Sequence, residues 1–136
     1  MTYFLEDIMK FIIDKTGCTK EDVNDESDLV NDLGCSGDDF HELIDEYAKK
    51  FNVDMTSYLW YFHGDEEGQN IGALFFKPPY KRVKHIPLTP SILLACANQG
   101  KWTVIYPEHK LPKRRYDILI NVLLILVYIT VILYKC

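Results

Sequence analysis

The sequence has 136 residues, enough for one modest hydrophobic core and a short appendage but too few for a large two-domain enzyme. Its formal net charge of −5 conceals a split: residues 1–70 carry 18 acids against 5 bases, and residues 71–136 carry 2 acids against 10 bases. An acidic front half argues against a nucleic-acid binder, because phosphates would be repelled.

The N-terminus does not read as a signal peptide, since Glu6, Asp7 and Lys10 interrupt its apolar residues. Phe4, Leu5, Ile8, Phe11 and Ile12 recur at helical spacing and predict a helix over residues 3–16, opened by Thr2 and closed by Gly17. Residues 18–35 are polar and acidic, with Val23, Leu29, Val30 and Leu33 as apolar pins, and predict an ordered loop laid on the bundle. The clearest helix comes next. Ser36 with Asp39 three residues on reads as a variant capping box, with the serine oxygen expected to accept the Asp39 N–H. Phe40, Leu43, Ile44, Tyr47, Ala48 and Phe51 then form one core stripe. Asp38, Asp39, Glu42, Asp45 and Glu46 load the front and outer face, and Lys49 and Lys50 close the last turn, an order that suits the helix dipole.

Thr56 or Ser57 is expected to cap a short third helix carrying Tyr58, Leu59, Trp60, Tyr61 and Phe62. Residues 63–72 read as an acidic loop. Residues 73–76, the break at Pro78 and Pro79, and the basic stretch 81–87 predict a small β hairpin or two edge strands. Thr89 before Pro90 opens a last bundle helix that stops at Gly100. Residues 102–106 are β-prone, and residues 107–115 form a basic linker.

Residues 118–134 are a run of 17 without a charge, whose clearly polar members are Asn121 and Thr130. At ~1.5 Å per residue that is roughly 25 Å, the short end of what crosses a hydrocarbon layer of ~30 Å. Lys110, Lys113, Arg114 and Arg115 precede the run and only Lys135 follows, so the positive-inside rule places the N-terminal domain in the cytoplasm and predicts a single-pass tail anchor over residues 116–136. These four bases are also expected to meet anionic lipid, as is the cluster Lys77, Lys81, Arg82 and Lys84.

Cys18, Cys35, Cys96 and Cys136 show no CxxC spacing, so no zinc or redox motif is expected. His41 lies among Asp38, Glu42 and Asp45 at helical spacing and reads as a solvated face, not a metal ligand. The acids of residues 22–28 lack the glycine and glutamate of a calcium loop. A Cys35–His41 nucleophile is disfavoured, because nearby carboxylates would hold the thiol protonated. No catalytic motif is present and no enzyme is expected.

The segment of residues 29–44 resembles the region around the attachment serine of acyl carrier proteins. Asp32-Leu33-Gly34 and Glu42-Leu43 match without a gap. More closely, Leu29-Val30, Asp32-Leu33-Gly34, Gly37-Asp38-Asp39, the Phe51 to Asp54 step and the residues from Ile86 to Trp102 are similar to an uncharacterised bacterial acyl-carrier-like family, the domain of unknown function 1493. The resemblance covers about residues 3–105. It implies a mainly α fold, a four-helix acyl-carrier-like bundle over residues 1–106; the anchor lies outside the resemblance and, in a bacterium, is expected in the inner membrane. It also implies docking of a protein partner with a basic patch through the acidic helix. With the motif aligned, the attachment serine falls on Gly37, which has no hydroxyl, and Asp38 replaces the following leucine. The expectation is therefore an interaction module without phosphopantetheine. The alternatives are a true carrier modified at Ser36, and a small inner-membrane accessory whose anchor makes helix contacts through Asn121 and Thr130.

Overall fold

A computed structural model describes all residues, 1–136, and its architecture is mainly helical. The helices are α1 (Leu5–Thr16), α2 (Gly37–Lys50), α3 (Pro90–Gln99) and α4 (Tyr116–Lys135). Single 3-10 turns occupy Trp60–Phe62, Ile71–Leu74 and Pro79–Lys81.

Local signals account for the three bundle helices. α1 begins two residues later than its pattern suggested, because Asp7 Oδ2 accepts the Phe4 N–H at 2.8 Å and makes Phe4, not Thr2, the capping position. Gly17 and Gly100 close α1 and α3 in left-handed geometry. Thr89 Oγ1 accepts the Ile92 N–H at 3.3 Å and Pro90 fills the first helical position, where its missing N–H costs nothing.

The core is built from one face of each. Ile8, Phe11 and Ile12 of α1 meet Phe40, Leu43, Ile44 and Tyr47 of α2 and Leu93, Cys96 and Ala97 of α3. Phe11 packs edge-on to Phe51 at 5.6 Å. The fully buried Tyr47 donates its hydroxyl to the Leu93 carbonyl at 2.5 Å, tying α2 to α3. The loop between α1 and α2 is ordered as its apolar pins predict. Val23 and Leu29 are buried, the Leu29 N–H reaches the Leu88 carbonyl at 3.0 Å, and Asp28 Oδ1 accepts the Leu88 N–H at 3.1 Å.

Two expectations are corrected. There is no hairpin and no strand; the only ladder contact is an isolated parallel bridge between Asp54 and Lys101. Asn70 Oδ1 accepts the Ala73 N–H at 3.0 Å and winds the apolar run into a 3-10 turn, and Pro78 and Pro79 have no N–H to offer a ladder. The third helix is also absent as a helix. Asp54 Oδ1 takes both the Thr56 N–H (2.9 Å) and its hydroxyl (2.5 Å), and Ser57 turns its hydroxyl to the Trp102 carbonyl (3.2 Å), so neither residue caps the aromatic segment. That segment keeps one 3-10 turn because its rings serve separate packing sites: Tyr58 lies against Trp102 at 4.8 Å and Phe62 against Tyr106 at 4.7 Å.

α4 differs in kind. It has 20 residues and is long and apolar enough to cross a membrane, with almost none of its surface covered by the rest of the chain. Its first turns rest on the Ile71–Leu74 turn.

Candidate functional site

The N-terminal end of α2 carries the site. Ser36 occupies the capping position with extended backbone, yet its side chain accepts no cap hydrogen bond, which corrects the expected serine–Asp39 pairing. The cap comes from elsewhere: Asp65 Oδ1 accepts the Gly37 N–H at 2.8 Å. The Asp65 carbonyl lies 2.9 Å from His41 Nε2 and can only accept, so Nε2 carries the proton. The acidic loop is thereby clamped over the helix start. Gly64 allows the approach, since a Cβ there would lie 2.5 Å from the Phe40 ring.

This clamp assembles an open groove of ≈ 470 Å³. Asp38 and Asp45 line one side from α2, Glu66 and Glu67 the other from the loop, and His41, Ile44, Tyr58 and Trp60 complete it. Trp60 stands edge-on to His41 at 5.4 Å. The Tyr58 hydroxyl is buried without a hydrogen-bond partner, and burial pushes its pKa up.

The five α2 acids divide into two sets, as their helical spacing dictates. Asp38 and Asp45 face the groove. Asp39, Glu42 and Glu46 line the crease toward α1, where Lys15 pairs with Glu46. Glu66, Glu67, Tyr58 and Trp60 do not stand out in the sequence as site residues; the acidic run 65–67 is visible there, but nothing local says that it folds back on α2. Cys35 is buried, and desolvation, with Asp39 and Cys18 adding to it, raises its thiol to about 11, so it stays protonated at neutral pH. No three His, Cys, Asp or Glu side chains gather closely enough to hold a metal ion.

The position at which carriers hold a phosphopantetheine arm has no hydroxyl here. Position 37 is a glycine at φ 59°, and a Cβ would run into the Glu67 side chain. A phosphate on the half-buried Ser36 would meet an N–H already taken by Asp65, with Asp38 and Asp39 beginning the same helix.

A polar junction couples this site to α4. Arg115 Nη2 reaches Glu66 Oε1 at 2.8 Å and Asp117 Oδ2 at 2.5 Å. Asn70 Nδ2 donates to Asp117 Oδ2 at 2.9 Å, and Asn121 Nδ2 donates to Asn70 Oδ1 at 2.9 Å. Asn121 Oδ1 accepts the Gly72 N–H at 2.8 Å. Asn121 is thus used within the chain, and Thr130 donates to the Leu126 carbonyl of its own helix at 2.8 Å. Lys110, Lys113 and Arg114 are exposed and form no ion pair, whereas Arg115 is held in the junction.

No solved structure matches the chain. A family model described as a protein of unknown function, DUF1493, matches residues 3–106, the part that holds the groove and stops short of α4. The chain therefore belongs to the DUF1493 family.

Proposed function

We propose that this protein is a membrane-tethered docking module of acyl-carrier-like form, working without a prosthetic arm and receiving a basic segment of a protein partner in the groove between α2 and the acidic loop. The observation that carries this reading is the groove itself. Asp38, Asp45 and Glu67 surround an aromatic floor and none of them has a cationic partner in the chain. Carboxylates left unpaired beside Trp60 suit a lysine or arginine, which gains charge pairing and a ring face together. α4 supports the tether through its length and apolar surface, and the bases before it support a cytoplasmic domain at a bacterial inner membrane. Tethering confines the groove to a thin layer and raises its effective concentration toward membrane partners.

The test is titration of the full-length protein in lipid nanodiscs with an arginine-rich peptide, read by tryptophan fluorescence. Asp38→Asn with Asp45→Asn should weaken binding about tenfold or more, at on the order of 1 kcal/mol per removed charge. Asp39→Asn with Glu42→Asn, on the other side of the same helix, should leave it nearly unchanged. Equal losses from both pairs would reduce the groove to general electrostatics and refute the site. Intact-mass measurement checks the arm: an added phosphopantetheine lost in Ser36→Ala would replace this reading with that of a carrier.

A further inference from the structure

The Ile71–Leu74 turn and the two residues after it expose apolar side chains where a soluble surface would hide them. Leu74 is 84% exposed and Phe75 70%, with Ile71 and Phe76 also open to solvent. These residues stand beside α4: Phe76 packs on Tyr116 at 5.3 Å, and Gly72 lies so close to α4 that a Cβ would overlap the Asp117 carbonyl oxygen.

The depth of the junction is set by helix length. Tyr116 to Tyr134 spans about 27 Å at ~1.5 Å per residue, close to a hydrocarbon layer of ~30 Å. If everything up to Asn121 stayed in water, Val122 to Tyr134 would offer only about 18 Å, too short to cross. A spanning α4 therefore carries Asn121 some 7 Å inward of Tyr116, and the turn bonded to Asn121 goes with it.

The turn is built for that depth. The Gly72 N–H is taken by Asn121 and the Ala73 N–H by Asn70, while the Phe75 and Phe76 N–H groups reach the Gly72 carbonyl at 3.0 and 2.9 Å. Backbone donors satisfied within the chain are what a lipid environment requires. Around Phe76 and Tyr116 the chain also gathers Lys77, Arg82, Lys113 and Arg114, drawn from two separate segments and free of ion pairs.

We propose that residues 71–76 form a second membrane contact, a wedge immersed in the interface of an anionic bilayer beside α4, with Lys77, Arg82, Lys113 and Arg114 on the lipid headgroups. It rests on the tether reading and adds to it an orientation: the wedge and α4, joined through Asn121, fix the domain against the bilayer, and Arg115 extends that fixed frame to Glu66 on the groove rim.

The test uses full-length protein reconstituted in vesicles of phosphatidylethanolamine and phosphatidylglycerol, with p-benzoylphenylalanine replacing Phe75, Leu124 or Phe4 in turn. After irradiation, lipid adducts at Phe75 and Leu124 but not at Phe4 on α1 are expected. Among the Phe75 adducts, resolved by mass, phosphatidylglycerol should be enriched about fivefold or more over its share at Leu124, from ~1 kcal/mol per base at the surface. Adducts at Leu124 without any at Phe75 would overturn the wedge and leave the tether standing. Absence of adducts at Leu124 would remove the tether and the wedge with it. A Phe75 adduct to a second copy of the chain would assign the apolar patch to self-association and overturn the proposal. Phe75 adducts with no excess of phosphatidylglycerol over those at Leu124 would overturn the assignment of the bases.

Discussion

His63 sets an acid limit on stability that can be worked out from its surroundings. The ring is fully buried. Nδ1 lies 2.9 Å from the Ile86 carbonyl, which only accepts, so Nδ1 holds the proton. Nε2 lies 2.8 Å from the Tyr106 hydroxyl. That hydroxyl already accepts from Trp102 Nε1 at 2.8 Å and from the Leu59 N–H at 3.2 Å, so it donates to the neutral imidazole. Protonating His63 would set a donor against a hydroxyl whose acceptor positions are filled. Burial pushes the pKa from 6.5 down to about 4, with His85 adding a little; the Ile86 bond and Asp28 oppose this without prevailing. The folded value is the depressed one, so between these limits the unfolded chain binds more protons and folding loses stability as the pH falls. The contribution is whole above 6.5 and gone below about 4. Linkage then removes about 2 kcal/mol between about pH 7.5 and about pH 5. The assay is urea unfolding of the full-length protein in detergent micelles at both pH values, tracked by the fluorescence of Trp60 and Trp102, the latter packed on Tyr58 at 4.8 Å. His63→Asn keeps a donor toward Ile86 and removes the titration. The variant should be less stable at the higher pH and lose about 2 kcal/mol less than wild type on acidification. Acid-sensitive groups common to both proteins cancel in that difference. Equal losses in the two proteins would refute the argument.

Two glycines make further predictions. Gly72→Ala should pry the Ile71–Leu74 turn off α4, because its Cβ would overlap the Asp117 carbonyl oxygen, a backbone atom that cannot swing away; hydrogen exchange at residues 71–76 and proteolysis there should rise, while the α1–α3 core keeps its protection. Gly37→Ser restores the hydroxyl at the carrier position but places a side chain at φ 59°, costing about 1–2 kcal/mol in urea unfolding. With Asp38 still beside it, the intact mass after expression with a phosphopantetheinyl transferase should stay that of the bare chain.

Features that depend on near neighbours were legible in the sequence. The stripe from Phe40 to Phe51, the Thr89–Pro90 start and the glycine stops act within a turn or two of the helix that they define, so α2 and α3 are read from pattern alone. The apolar, chargeless run that became α4 is likewise a property of composition. Signals that compete over distance were not readable in this way. Ser36 looked like a cap, but Asp65 holds the Gly37 N–H instead, because the acidic loop packs back on Phe40. Residues 73–76 looked like a strand, but Asn70 takes the Ala73 N–H and the Gly72 carbonyl takes those of Phe75 and Phe76, donors that pairing would have needed. The sequence by itself determined α1 to α4, though not the absence of a helix over Tyr58 to Phe62, and with them the division of charge and the missing hydroxyl at residue 37. Only the tertiary structure decided that Glu66 and Glu67 join Asp38 and Asp45 around one groove, and that Arg115 and Asn121 bind this region to α4, because those contacts join residues that periodicity cannot relate.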